Sequence, residues 1–310
     1  MKISSREYNG MIVLTGENDQ IRFEIIPAMG GKLASVFNKT LNKEFLWHNE
    51  GLDLGLNAPG TDYDSHFLGG VDELLPNDIP ETIDSLEYPD HGELWTTSLQ
   101  YEIKENKLIV YGKLAQSGLF YRKTLSLQPG SAEIHLDYQM INESGHTRHF
   151  LWKLHAALKI SAGDHLLSSA RKAKVVYPEA SRFSTTDEFN WPLVEGHDAA
   201  LVPEKNGSMD FFYLYEALEG EMGLISGDGK HLFAYRYDQQ VFPFQWYFAS
   251  YGQFDGHYTA ILEPASAMPV SVNEAMKKQQ CTVLAAGQQI ETRVTIYAGE
   301  LSSSEINDRY

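Results

Sequence analysis

The feature that most limits how this chain can fold is an alternation of apolar and polar side chains with a period of two. Leu119, Tyr121, Leu125 and Leu127 share one parity, while Arg122, Thr124 and Ser126 share the other. An extended strand sends successive side chains to opposite faces, so this pattern predicts a half-buried strand and excludes a helical stripe. After a Pro129-Gly130 turn signal, 132–142 repeats the pattern, with Ile134, Leu136, Tyr138 and Met140 set against Glu133, His135, Asp137 and Gln139. The two runs are expected to be antiparallel neighbours. A late strand is expected where Ile290, Thr292, Val294 and Ile296 alternate with Glu291, Arg293 and Thr295. Further strands are predicted near 21–26, 108–114, 151–158, 231–237 and 258–262. One short helix is predicted at 271–280, where Ser271 and Glu274 have capping-box spacing. Many strands with so few helices predict an all-β fold of packed antiparallel sheets, a sandwich or a barrel.

The chain shows no repeat or linker-like shift in composition, so its 310 residues, 43% of them hydrophobic, are expected to form one domain spanning 1–310. The segment 51–90 is rich in Gly, Pro, Asp and Asn and lacks periodicity. It is long for a connection, which predicts a functional loop. A net charge of -17 opposes binding to a phosphate backbone, so nucleic acid is not an expected partner. No apolar run has the length of a membrane-spanning helix, and the N-terminus lacks a secretory pattern. A cytoplasmic location is expected, consistent with the single cysteine, Cys281. The sequence leaves monomer and dimer equally open.

P-loop, nucleophile-elbow and HExxH motifs are missing, and no Cys/His cluster has zinc spacing, so neither a cofactor nor a metal is expected. What remains is a set of polar residues in apolar surroundings, where burial without a partner is costly. His91 lies in DHGELW. Lys153 and His155 share one face of WKLHAAL. Glu263 ends the apolar run AILEP, where Pro264 is expected to stop the strand, and Asp72 and Glu73 sit in GGVDELLPN. Each has a bland explanation: a hydrogen-bonded structural histidine, a strand-end carboxylate, a turn aspartate. Trp95, Trp152 and Trp246 are most simply core.

Taken in order and spacing, these segments resemble the galactose mutarotase-like family, which includes aldose 1-epimerases and hexose-6-phosphate mutarotases. The resemblance runs from PAMGGKL through GGVDELLPN, DHGELW, WKLHAAL and FPFQWYF to ILEPASAMP. It implies a large antiparallel β-sandwich with a sugar cleft and an enzyme that interconverts the anomers of an aldose. It also implies roles. Glu263 would be the base at the anomeric hydroxyl, His155 the acid at the ring oxygen, and His91 a second histidine holding the sugar. Asp72, Glu73, Trp95, Lys153 and Trp246 are expected around the substrate, with Trp95 or Trp246 lining the cleft. The reaction needs one acid and one base across a hemiacetal. His155 would then need its pKa raised by a nearby carboxylate, for which Glu263 is the expected source.

The chain departs from the family pattern at GGVDELLPN, where Asp72 and Glu73 stand in place of an expected arginine. No basic cluster suits a phosphate, which favours a neutral sugar. Two other readings stay open: glycoside cleavage with Glu73 and Glu263 as an acid and base pair, and a non-catalytic sugar-binding protein.

Overall fold

The computed structural model describes residues 1–301. Its strands form two large antiparallel sheets laid face to face, as the alternation predicts. The twelve-stranded sheet begins with the hairpin Lys2–Tyr8 and Met11–Glu17 and continues through Ile21–Ile26 and Lys32–Asn38. Its middle is Val71–Leu74, Lys153–Lys159, Tyr258–Ala265, Phe244–Tyr251 and Ser208–Tyr215, in that spatial order. The eight-stranded sheet has Gln289–Glu300 between His231–Tyr237 and Glu133–Asn142, followed by Leu119–Leu127 and Lys107–Lys113. The predicted neighbours pair from Leu119 opposite Asn142 to Leu127 opposite Ile134, and the late strand adds to the far edge of that hairpin. The one α-helix among the described residues is Val272–Lys277, where the Ser271 side chain accepts from the Glu274 N–H.

One parity of each strand fills the space between the sheets. Leu154, Ala156 and Leu158 meet Leu136, Tyr138 and Val294 there, all buried. The other parity of the larger sheet faces outward, yet it too is buried, because loops cover it with Tyr63, Phe67 and Trp95. A sheet apolar on both faces reads as a continuous apolar run, which explains why AAL and AILE blur the alternation.

Three expectations need correction. The segment 51–90 is not one loop: it contains Val71–Leu74, a strand in the middle of the large sheet, and the hairpin of Glu81–Ile83 with Leu86–Tyr88. The strand expected from 151 starts at Lys153, because the Leu151 N–H bonds Pro76 O and the Trp152 N–H bonds Ser266 Oγ. Pro264 does not end its strand. Tyr258–Ala265 continues through it, pairing Gln245 with Pro264 on one side, while Lys153 pairs with Ala265 on the other. A proline lacks only a donor, so the ladder tolerates it where that N–H is not needed.

Asp72 and Glu73 are adjacent and therefore point to opposite faces. Glu73 enters the inter-sheet core, where Lys123 Nζ lies 2.8 Å from both its carboxylate oxygens and Tyr138 donates to it at 2.6 Å. Lys123 also donates to Gly31 O at 2.7 Å, fixing the turn before Lys32–Asn38. The Lys123→Met variant would leave Glu73 charged and unpaired, and chemical denaturation should show it less stable by roughly 3–5 kcal/mol. Adding Glu73→Leu should restore much of that loss.

Candidate functional site

Strand register builds the site before any side chain is considered. Asp72 lies opposite His155, Trp246 opposite Glu263, and Tyr213 opposite Trp246. The pairing of Ala156 with Leu262 and Lys153 with Ala265 sets His155 across from Glu263. Asp72, His155, Glu263, Trp246 and Tyr213 thus form one row across five strands, all on the outward face. Neighbouring strands are about 4.8 Å apart, so His155 and Glu263 sit side by side.

Loops roof this row and leave a cavity of about 210 Å³ lined by Lys153, His155, Glu263, His91, Asp78 and a group of aromatic rings. The rings include Tyr63, Phe67, Tyr177, Phe211 and Phe248. A concave, mostly apolar space with a few converging polar groups is the usual form of a small-molecule site.

Lys153 organises the charge. Its ammonium lies 2.5 Å from Asp78 Oδ1, 2.6 Å from Glu263 Oε2 and 4.6 Å above the Trp246 ring. Burial works against the cation, but the two carboxylates outweigh it and hold Lys153 above its usual pKa. The contact with Glu263 is ionic without hydrogen-bond alignment, since Oε2 has no aligned donor. Burial raises Glu263 to about 7, against the pull of Lys153. Glu263 is therefore poised to take a proton near neutral pH.

The two histidines are shifted in opposite directions. His91 adopts a left-handed backbone, φ 55°, after Asp90, with its N–H donating to Asp78 O at 2.7 Å and its ring stacked 4.2 Å from Tyr63. Gly92 follows, also left-handed, where a Cβ would fall 2.2 Å from Leu75 O. Burial disfavours the imidazolium of His91, but Asp90, 2.9 Å from Nδ1, and Asp78 reverse this and raise its pKa. His155 is fully enclosed, and burial, then Lys153 and His91, push it well below its usual value. This corrects the expectation that Glu263 would raise it: among the charges, the Lys153 ammonium acts on it most strongly. Among the described residues no group of three or more His, Cys, Asp and Glu side chains is arranged to hold a metal.

The arrangement of sheets recurs in solved structures. The Slr1438 protein of Synechocystis superposes with a TM-score of 0.72 at 12% identity, over 93% of this chain and 96% of that one. A galactose mutarotase-like protein from Clostridium acetobutylicum gives 0.70 at 12% identity, over 97% and 99%. Another galactose mutarotase-like protein, from Lactobacillus casei, gives 0.63 at 16% identity, over 92% and 99%. This chain has the galactose mutarotase-like fold. No family model and no curated protein matches the chain by sequence.

On the mutarotase-like fold, the expected residues divide into three sets. His91, His155, Lys153 and Glu263 line the cavity together. Asp72 lies one layer behind, ion-paired with Lys32 at 2.6 Å and accepting from the Tyr63 hydroxyl at 2.8 Å. Glu73 is on the other face of the sheet. The tryptophans also correct the expectation: Trp95 packs edge-on behind Tyr63, and Trp246 lies buried beneath Lys153. The rings that line the cavity come instead from residues such as Phe67, Tyr177, Phe211 and Phe248.

Sequence reading also missed Tyr63, Asp78 and Asp90. Asp90 stood beside His91 in DHGELW, and the sign of its importance was a carboxylate next to a histidine. Tyr63 and Asp78 lie in the aperiodic stretch and gave no local signal.

The Lys153→Met variant should raise the Glu263 midpoint further above 7, because the cation that lowers it is gone. Carbon-13 NMR of labelled glutamate would follow that midpoint. Because Glu263 binds its proton more tightly folded than unfolded, its stabilising contribution is full below pH 4.5 and is lost as pH rises through about 7. Wild-type protein should therefore lose stability relative to Glu263→Gln between pH 5 and pH 8 in paired denaturation curves.

Proposed function

We propose that this protein is a mutarotase that binds a neutral aldose and interconverts its anomers by acid and base catalysis. The observation that carries this reading is a carboxylate poised near pH 7 beside two histidines whose pKa values are shifted in opposite directions, in a cavity walled by aromatic rings. Ring opening of a hemiacetal asks for such a set. Glu263 takes the proton of the anomeric hydroxyl while one histidine gives a proton to the ring oxygen, and the bond between that oxygen and the anomeric carbon breaks. The aldehyde turns about one bond and the ring closes from its other side. Aromatic faces pack against the apolar face of the sugar. Lys153 keeps Asp78 and Glu263 apart in charge and orients the carboxylate.

The names of the similar solved structures support the same chemistry. Glycoside cleavage by Glu73 and Glu263 finds no support, since a sheet separates them. Among the described residues no arginine lines the cavity to hold a phosphate, which favours an unphosphorylated sugar. We place the reaction in the cytoplasm, with no nucleic acid or membrane partner.

NMR exchange between anomers, run on a panel of free aldoses, should show at least one interconverting faster than in buffer alone. Glu263→Gln should lower that rate by about 10²–10⁴-fold, the usual contribution of a general base. Wild-type rate should rise with pH through about 7 as Glu263 ionises, then fall as the donor histidine loses its proton. A panel in which no sugar exceeds the buffer rate would leave a binding protein as the better reading.

A further inference from the structure

Acid and base ring opening needs only one histidine to donate, and this site holds two. Resting on the mutarotase reading above, we propose that an Asp72–Tyr63 relay locks His155 as the Nδ1-protonated neutral tautomer, so that its Nε2 accepts from the ligand and His91 delivers the proton. Tyr63 would then be a positioning residue.

The geometry leaves little freedom. A phenol has one proton, and Tyr63 gives it to Asp72 Oδ2 at 2.8 Å. Asp72 can only accept while ionised, and Lys32 Nζ at 2.6 Å pairs with that charge. The same Tyr63 oxygen lies 3.3 Å from His155 Nδ1. With its proton committed, the oxygen can only accept there, so the imidazole donates from Nδ1. In a neutral ring the other nitrogen must then carry a lone pair. His155 Nε2 has no partner among the described residues and belongs to a side chain that lines the cavity. Tyr63 holds its own proton firmly, since burial and then Asp72 push the phenol well above its usual pKa.

The cations around His155 act in the same direction. Lys153 on its own strand, Lys32 behind it and His91 from the loop all oppose an imidazolium. Glu263, on the adjacent strand, is a carboxylate on the ligand side, and Lys153 is ion-paired with it. His91 has the reverse setting, between Asp90 at 2.9 Å and Asp78 at 3.7 Å. The protons then balance. Glu263 gains the anomeric proton, His91 loses one to the ring oxygen as its bond to the anomeric carbon breaks, and closure reverses both transfers. His155 Nε2 accepts from a sugar hydroxyl throughout.

Nitrogen-15 NMR of histidine-labelled protein, with His155 assigned from its loss in His155→Gln, tests the tautomer in the wild type without sugar. Expected at pH 7 is a protonated Nδ1 and a bare Nε2 for His155, shifting to a tautomer mixture in Tyr63→Phe. A protonated Nε2, or a doubly protonated ring, in the wild type overturns the relay. Kinetics test the donor. His91→Gln should cost about 10²–10⁴-fold and abolish the alkaline fall in rate. His155→Gln, whose amide oxygen can still accept, should lose less and keep that fall. The opposite pattern would return the donor role to His155. If no aldose is turned over by wild type while the tautomer is as expected, the mutarotase reading fails together with the His91 assignment, and the relay stands.

Discussion

The Lys153 ammonium is the interaction on which the cavity depends. It is buried, and a buried cation is tolerated only when its charge and its donors are matched. Asp78, from the roof, and Glu263, from the floor, supply the match, and Trp246 supplies an aromatic face below. One side chain therefore ties the loop that covers the site to the sheet that carries it. It also sets the two titratable partners apart. Asp78 is drawn below its usual pKa, against its burial, by Lys153 and His91, while burial wins at Glu263. The same cation drives His155 toward neutrality. A single buried charge thus pulls Asp78 down, restrains the rise of Glu263 and adds to the burial that lowers His155.

Behind this arrangement stands the parity of a strand. Asp72 and Glu73 are chemically alike and adjacent, yet one faces the cavity layer and the other the interior between the sheets. Each found a lysine of its own, Lys32 and Lys123. A carboxylate pair that looks like one acidic motif in the sequence is two unrelated devices in space. The rule that revealed the strands at the outset also decides which acid can meet a ligand.

Legibility followed physical range. The hairpin of Leu119–Leu127 and Glu133–Asn142 was readable because one face is wet and one dry, so local pattern alone carries the information. Lys153, His155 and Glu263 stood out because charged groups in apolar runs demand partners. Trp95 and Trp246 misled, since a large ring near a catalytic motif can line a cleft or support its lining, and sequence does not separate the two. Tyr63 and Asp78 act across long sequence separations, Tyr63 on His155 and Asp78 on Lys153, inside a segment without periodicity. Val71–Leu74 was hidden for the opposite reason: with both faces covered, its four residues show no alternation.

The pair of Glu73 and Lys123 has a consequence for how damage to this protein would present itself. Glu73 shares a four-residue strand with Asp72, and Lys123 belongs to the opposite sheet. A lesion at Lys123, on the far side of the sheet from the cavity, would loosen that short strand and with it the support of Tyr63 and His155. In a survey of inherited variation, changes at Lys123 would then lower the amount of folded protein and disturb the cavity at the same time. The disturbance would show at the cavity, although its cause lies on the other side of the sheet.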